Sequence, residues 1–477
     1  MKNQEKETEQ RLTELAHNCS GKQVTFCTPL PASGSNRRYY RLTLDDGTTL
    51  IGAYNEDVAE NEAFFSYTDF FVNHSLHAPH LLCVHPDRQH YLQQDLGTTT
   101  LYDYLCAHRD EQSNPSPETV AYYKQAVRQL PRWQMSGRQG LDFSVAYPRP
   151  AFDRQSMQWD LNYFKYYFLK LLHVPFNEQK LEEDYDTLIQ YLLSTEGDYF
   201  LFRDFQSRNI MIDQDQVYFI DYQGGRKGAL QYDIASLLYD AKADLPASLR
   251  KHLLEVYMET LSQYVCFDRE QFLSFFQSFA LIRILQSMGT YGYRGYFERK
   301  SHFLQSIPYA ARNLTELLDR FSGPSLPELT KALRSCLESP AVKPYCPSDT
   351  LTVLVQSFSY KKAIPADPSP NGGGFVFDCR ALPNPGREKR FAFNTGRDEC
   401  VAQYLQNCPE VHEFRKHVFA IVDQSVDNYL QRHFTHLSVC FGCTGGQHRS
   451  VYFAEQLAQH LRQKYAGIQV ILKHTVS

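Results

Sequence analysis

Apolar and polar positions follow two alternating rhythms along this chain. A helical period over 4–18 gives way to short β-branched and aromatic runs at 24–27, 39–42, 48–54 and 91–94, which predict strands, with a helical stretch over 62–71 between them. Helical periods then dominate, at 117–135, 154–173, 179–194, 233–243, 246–264, 268–287 and 308–321. One interruption stands out. A polar loop at 202–209 leads into an apolar strand at 210–212, a turn at Asp213-Gln214-Asp215, and a second strand at 217–220 that ends on Asp221. Prolines crowd a polar run at 338–349, which reads as a linker. Beyond it the rhythm is that of an α/β unit: strands at 351–358, 375–378, 437–441 and 468–472, helices at 397–406, 409–430 and 450–465. The expected domains are 1–337 and 350–477.

Composition narrows the function classes. A chain of 477 residues can bury two or three cores. Charged residues at 22% and apolar ones at 43% are an ordinary soluble mixture, and a net charge of −5 gives no global pull on nucleic acid. No apolar run approaches the roughly 20 residues of a membrane span, and the charged start MKNQEKETEQ is not a secretory signal. The twelve cysteines are scattered, and the lone C-x-x-C (Cys440, Cys443) has no second pair to complete a zinc site. Reduced thiols and a cytoplasmic location are therefore expected.

The loop and hairpin at 202–221 carry the first candidate chemistry. Their order reproduces the catalytic loop of kinase-like folds, an Asp, an Asn five residues on, and a strand-borne Asp. Asp204 is placed as the base that orients a hydroxyl and accepts its proton. Asn209 and Asp221 offer oxygen ligands to Mg²⁺, with ATP as phosphoryl donor. The bland alternative is a surface hairpin with turn aspartates. Upstream, Ser33, Gly34, Ser35 and Asn36 are small residues suited to a loop folded over phosphates, and Arg37 and Arg38 add charge. Gln94 and Asp95 fall where a hinge would meet adenine through its backbone. The strand at 48–54 lacks the lysine that usually holds the α- and β-phosphates. Either an arginine of the preceding loop substitutes, or nucleotide binds differently, or catalysis is lost. Glu62 would then be either the usual helix partner of that cation or a carboxylate favoured by the helix dipole.

A second loop, Cys443-Thr444-Gly445-Gly446-Gln447-His448-Arg449-Ser450, sits between a buried strand and a helix. Loop N–H groups and a helix N-terminus converge there, Arg449 can clamp an anion and His448 can donate to it. The spacing Cys443, five residues, Arg449, Ser450 is also that of cysteine phosphatases. Gly442 stands where those enzymes carry a His, and Asp378 is the one acid at hand, so a passive binding loop is the preferred reading.

Two resemblances extend this. Residues 23–317 resemble the aminoglycoside-phosphotransferase (choline/aminoglycoside kinase) superfamily, with similarity to the bacterial anomeric kinases of N-acetylmuramate and N-acetylglucosamine. The motifs are Arg37-Arg38-Tyr39-Tyr40-Arg41, Asp95-Leu96-Gly97, Arg203-Asp204 with Ser207-Arg208-Asn209, Asp221-Tyr222-Gln223 and Tyr232-Asp233. Phe202 replaces the common His, and Gln206 stands where those kinases tend to carry a His. The resemblance implies a sugar acceptor phosphorylated at its anomeric hydroxyl, with Arg203 and Gln206 near the acceptor. Residues 350–477 resemble the carboxy-terminal domain of the RNase adapter RapZ, through Phe377-Asp378-Cys379-Arg380-Ala381-Leu382-Pro383-Asn384-Pro385 and the 442–452 loop. That implies binding of an amino-sugar phosphate and a contribution to RNA recognition; the acidic balance argues against strong RNA binding. The expected fold is an α+β bilobal protein-kinase-like domain followed by a small α/β domain with a strand–Gly-loop–helix anion site. The expected function is an ATP-dependent sugar kinase. The rival reading is a non-catalytic metabolite sensor or RNA-binding adapter on a degenerate kinase scaffold.

Overall fold

The first hundred residues gather their apolar faces around a five-stranded antiparallel sheet. The computed structural model describes residues 2–31, 37–298, 300–339, 342–343, 350–365, 367 and 373–475. Its first elements are α1 (Lys2–Ser20), β1 (Val24–Pro29), β2 (Arg38–Leu44), β3 (Thr49–Tyr54), α2 (Val58–Asn73), β4 (Leu81–Val84) and β5 (His90–Gln94). The strands lie in the order β1-β2-β3-β5-β4. Leu12, Leu15 and Ala16 of α1 pack on Tyr40, Leu42 and Leu92 of the sheet. Gly52 in β3 lets them close, because a Cβ there would stand 3.0–3.2 Å from methyls of Leu12 and Leu42. Helix α2 begins four residues before the expected 62. Asp57 caps it by accepting the Glu60 N–H at 3.2 Å, which puts Glu60 in the first turn.

The larger lobe holds α3 (Leu101–Ala107), α4 (Pro117–Met135), α5 (Arg154–Phe164), α6 (Glu178–Leu193), β6 (Tyr199–Leu201), β7 (Ile210–Asp213), β8 (Gln216–Phe219), β9 (Arg226–Gly228), α7 (Leu230–Leu238), α8 (Ala247–Leu261), α9 (Arg269–Tyr291), α11 (Ile307–Leu318) and α12 (Pro327–Glu338), while the short α10 (Ser301–Leu304) between α9 and α11 belongs to the second unit. The helix expected over 154–173 is α5 followed by a π-helical turn at Lys165–Leu169. The hairpin β7–β8 stands as the pattern predicts, with Gln214 and Asp215 both at positive φ (47° and 60°) in its turn. Helix α12 escaped the pattern reading although Leu329, Ala332, Leu333 and Cys336 bury one face at helical spacing. Trp133 of α4 is fully buried. Its ring meets Phe71 of α2 (4.3 Å between centroids), Phe202 of the catalytic-type loop (5.2 Å) and Phe219 of β8 (5.1 Å). One side chain thus ties the small lobe, the large lobe and the hairpin together.

The chain divides into two compact units, Met1–Gly289 with Tyr309–Val342, and Thr290–Pro308 with Lys343–Ser477. The second unit is built on β10 (Thr352–Ser359), β11 (Gly374–Asp378), α13 (Glu399–Gln406), α14 (Pro409–Gln431), β12 (His436–Cys443), α15 (Arg449–Lys464) and β13 (Gln469–His474). Its four strands are parallel, in the order β11-β12-β10-β13. Phe414 of α14 and Phe453 of α15 pack edge-on at 5.0 Å over Phe377 and Phe441 of the sheet. A cavity of about 160 Å³ in this unit is lined by Tyr296, Leu304, Phe375, Val376 and Cys440. Among the described residues no helix is long and apolar enough to cross a membrane.

Trp133→Ala is expected to lower the stability of the first unit by about 3–5 kcal/mol, read from the shift of its urea unfolding midpoint.

Candidate functional site

The loop between β6 and β7 is held by a single buried carboxylate. Asp233, in the first turn of α7 and fully buried, accepts the Phe202 N–H at Oδ2 (2.8 Å) and the Arg203 N–H at Oδ1 (3.1 Å). The chain then turns through a left-handed Arg203 (φ 76°), which brings Asp204 forward. Asn209, five residues on, faces back. Its Nδ2 donates to the Asp204 carbonyl (2.9 Å) and to Asp221 Oδ2 (3.1 Å). Only an N–H can face that carbonyl, so Oδ1 points away from both. Asp221, at the end of the β7–β8 hairpin, is also left-handed (φ 63°) and exposed, and Gln223 Nε2 donates to its Oδ1 (2.9 Å). Asn209 therefore joins the backbone of Asp204 to the side chain of Asp221. An exposed carboxylate and an amide oxygen are the hard donors a Mg²⁺ ion takes, so these residues fit that ion.

The charges around Asp204 were not legible in the spacing. Arg283 of α9 donates from Nη2 to Asp204 Oδ1 at 3.1 Å, and its Nε donates to Ser236 Oγ at 2.9 Å. Arg203 Nη2 donates to Asp160 Oδ1 (2.7 Å) on α5. Arg226 of β9 is buried and donates to the carbonyls of Gly224 (2.8 Å) and Tyr147 (3.3 Å). Burial pushes the Asp204 carboxyl up, but Arg283, Arg203, Arg208 and Arg226 outweigh it and hold the group below its usual range. The side chain keeps about 45% exposure, so water screens part of that field. Burial and then the neighbouring Arg203 pull the Arg226 guanidinium down to about 10. Gln206 is buried just before the helical turn Ser207–Asn209, and its carbonyl accepts the Asn209 N–H (2.9 Å).

The expected nucleotide residues divide into three groups. Ser33, Gly34, Ser35 and Asn36 lie outside the described residues. Arg37 is buried against α2, and Arg38 opens β2 beside Tyr54 of β3. Asp95 is a brace: Arg41 donates to both its oxygens (2.6 and 2.9 Å), and the Gly97 N–H adds a third bond at 2.9 Å. Gln94 is tied to residue 80, accepting the His80 N–H at Oε1 (3.3 Å). Glu62 pairs with Arg88 on the outside of α2.

The second loop differs from its expectation in where the side chains point. Arg449 Nη1 donates to the carbonyls of Arg380 (2.8 Å) and Leu382 (2.9 Å). His448 Nε2 lies 3.0 Å from the Phe391 carbonyl, and Gln447 Nε2 donates to the carbonyls of Ala392 (3.2 Å) and Asn394 (2.8 Å). These side chains fasten the 380–394 segment, a use of long polar side chains that spacing does not reveal. Cys443 is 3% exposed with Sγ 3.1 Å from Ser450 Oγ, and burial leaves it no approach for a phosphate ester. Thr444 and Gly445 are exposed, and Gly446 turns at φ 72° into α15, so the backbone N–H groups of the loop are what an anion can meet.

A family model described as "Phosphotransferase enzyme family" matches residues 27–269, just over half of the chain. The chain belongs to that family. The matched part has the protein-kinase-like fold, and a second model, "RapZ C-terminal domain", matches residues 351–476. Among curated relatives, a "Nucleotide-binding protein" of Paracidovorax citrulli is 36% identical over 142 residues, 29% of this chain and 47% of the relative. Another of that name from Xylella fastidiosa is 40% identical over 117 residues, 24% and 39% of the two chains. The chain thus spans half or less of the length of these relatives. Among solved structures, a choline kinase of Cryptosporidium parvum is 12% identical, with a TM-score of 0.45 over 65% of this chain and 93% of that one. Amicoumacin kinase in complex with AMP-PNP is 13% identical, with a TM-score of 0.42 over 72% and 98%.

Burial pushes the Asp233 carboxyl up to about 7, against the two N–H bonds that favour its charge. The folded chain then keeps a proton that the unfolded chain releases near pH 4. This contribution to stability is full below about pH 4, shrinks as pH rises towards 7, and is lost above it. The stability difference between the parent chain and Asp233→Asn, followed by urea unfolding from pH 4 to 8, is expected to move against the parent as pH rises.

Proposed function

We propose that this phosphotransferase transfers the γ-phosphoryl group of ATP to a hydroxyl of a sugar or amino sugar, with the anomeric hydroxyl as the preferred acceptor. The observation that carries the reading is that Asn209 bonds both the Asp204 backbone carbonyl (2.9 Å) and the Asp221 carboxylate (3.1 Å), which fixes the loop that bears Asp204 to the hairpin that bears Asp221. In the reaction the acceptor oxygen forms a bond to the γ-phosphorus, the bond to the β-phosphate oxygen breaks, and ADP departs. Asp204 orients the hydroxyl and takes its proton. Arg283 keeps that carboxylate ionised and fixed. Asn209 and Asp221 would hold Mg²⁺, which when bound offsets the charge of the phosphate oxygens. Arg203, anchored by Asp160, and Gln206 would stand near the acceptor. The loop at 443–446 would bind the phosphate of an amino-sugar phosphate, and in that role the second unit senses a metabolite related to the acceptor.

A second reading has one observation in its favour. Strand β3 carries no basic residue, which suits a scaffold that binds nucleotide without turning it over. ADP release from ATP in the presence of a panel of free hexoses and amino sugars, with ³¹P NMR of the product, separates the two. Sugar-dependent ADP formation supports the kinase; nucleotide binding with no sugar-dependent turnover across the panel overturns it. Asp204→Ala is expected to lower kcat by about a hundred- to ten-thousandfold while the chain stays folded. Because Asp204 is held below the usual carboxylate range, its ionised form persists through neutral pH. The acid limb of kcat/KM for this group is therefore expected below about pH 4, measured with the preferred sugar.

A further inference from the structure

Although β3 has no cation, a buried one stands beside its end. Arg37, the residue before β2, is 2% exposed. Its Nη2 donates to Asn61 Oδ1 (3.3 Å) and lies 3.3 Å from Glu60 Oε2, both in the first turn of α2. These acceptors are themselves fixed. Asn55 Nδ2 donates to Glu60 Oε2 (2.7 Å) and to Asn61 Oδ1 (3.3 Å), while Asn61 Nδ2 donates to the carbonyls of Asn55 and Arg88 at 2.9 Å each. The guanidinium carbon lies 5.9 Å from the ring centre of Phe64, and Phe64 stacks on Tyr222 at 5.4 Å. Tyr222 follows Asp221 directly, so one aromatic wall runs from Arg37 to the end of the β7–β8 hairpin.

Two nitrogens of Arg37, Nε and Nη1, are buried and make no well-formed hydrogen bond among the described residues, although the Tyr39 hydroxyl lies close enough to the guanidinium to interact with it. A guanidinium kept from water with two N–H directions unmet is costly unless an anion completes it. Polyphosphate oxygens are such an anion. The acceptors that hold this charge sit on the first turn of the helix that follows β3, and the Phe64–Tyr222 pair connects them to the residue after Asp221.

We propose that Arg37, braced by Glu60, receives the α- and β-phosphates of ATP in place of a strand-borne lysine. Glu60, not Glu62, is the positioning residue for that cation. A planar guanidinium held from α2 reaches the phosphates from the β2 side of the sheet, so the lysine of β3 is dispensable. The proposal rests on the phosphotransferase reading.

The test measures binding of MgATP, ADP and adenosine to the full chain by calorimetry, with thermal melting of each variant in the absence of nucleotide. Arg37→Met is expected to weaken ATP and ADP by about tenfold or more and to leave adenosine within about twofold, as loss of a charge-assisted phosphate contact requires. Arg37→Lys is expected to recover part of the loss. Glu60→Gln is expected to raise the KM for ATP several-fold, by about 1 kcal/mol or less in binding terms, with kcat changed less than KM. Equal ATP affinity in Arg37→Met and the parent chain overturns the proposal, and so does a parallel loss of adenosine, which marks a collapsed pocket. If Arg37→Met does not fold, Glu60→Gln decides: selective weakening of ATP over adenosine supports the role, and unchanged ATP affinity sinks it. A parent chain that binds none of the three nucleotides removes the phosphotransferase reading itself, while a parent that binds them and variants that do not discriminate remove only the role of Arg37.

Discussion

The grip of Asp233 on two consecutive backbone N–H groups is the constraint on which the cleft depends. It forces the chain out of β6 and into a left-handed Arg203. A non-glycine residue in that region costs on the order of 1–3 kcal/mol, and two hydrogen bonds in a dry setting are of a size to offset it. Because the turn is fixed at its root, Asp204 and Asn209 leave it in set directions. The hairpin then needs only its own register, Ile210 opposite Phe219, to bring Asp221 alongside. Trp133 backs this from beneath, touching both the loop and the hairpin.

Charge is distributed around that frame in a graded way. Arg283 neutralises Asp204 from α9 and Asp160 neutralises Arg203 from α5, while Arg226 has only carbonyl partners. Guanidinium groups thus stand close to the Asp204 carboxylate, which suits the phosphoryl transfer proposed for this site. The upper wall repeats the logic with Arg37 and Glu60. In both places an arginine outside any helix is oriented by a carboxylate on a helix, Arg203 by Asp160 of α5 and Arg37 by Glu60 of α2.

Much of this was readable in the residues, for physical reasons that differ from one element to the next. The 202–221 stretch was legible because its spacing is short and local: an interval of five between Asp204 and Asn209, and a two-strand hairpin, leave few geometries. The amphipathic helices were legible from period, and α4 emerged at its expected limits. Arg283 and Asp160 were not, since they enter from helices 79 and 43 residues away with no spacing rule to connect them. Glu60 was missed because the cap at Asp57 moves the start of α2 back by a turn. Arg449, His448 and Gln447 belonged to a motif whose backbone shape was predictable, but the direction of their side chains depends on a segment fifty to seventy residues earlier in the chain.

The second unit does not begin where the proline-rich run ends. It takes in Thr290–Pro308, from the middle of the sequence, and Tyr296 and Leu304 of that stretch line its cavity with Phe375 and Cys440. A protease that nicked the run near 343 would therefore release a fragment with an apolar seam laid bare. One wall of that cavity is thus encoded before the run, so a cut through the run leaves the two sides of the cavity on different pieces of chain.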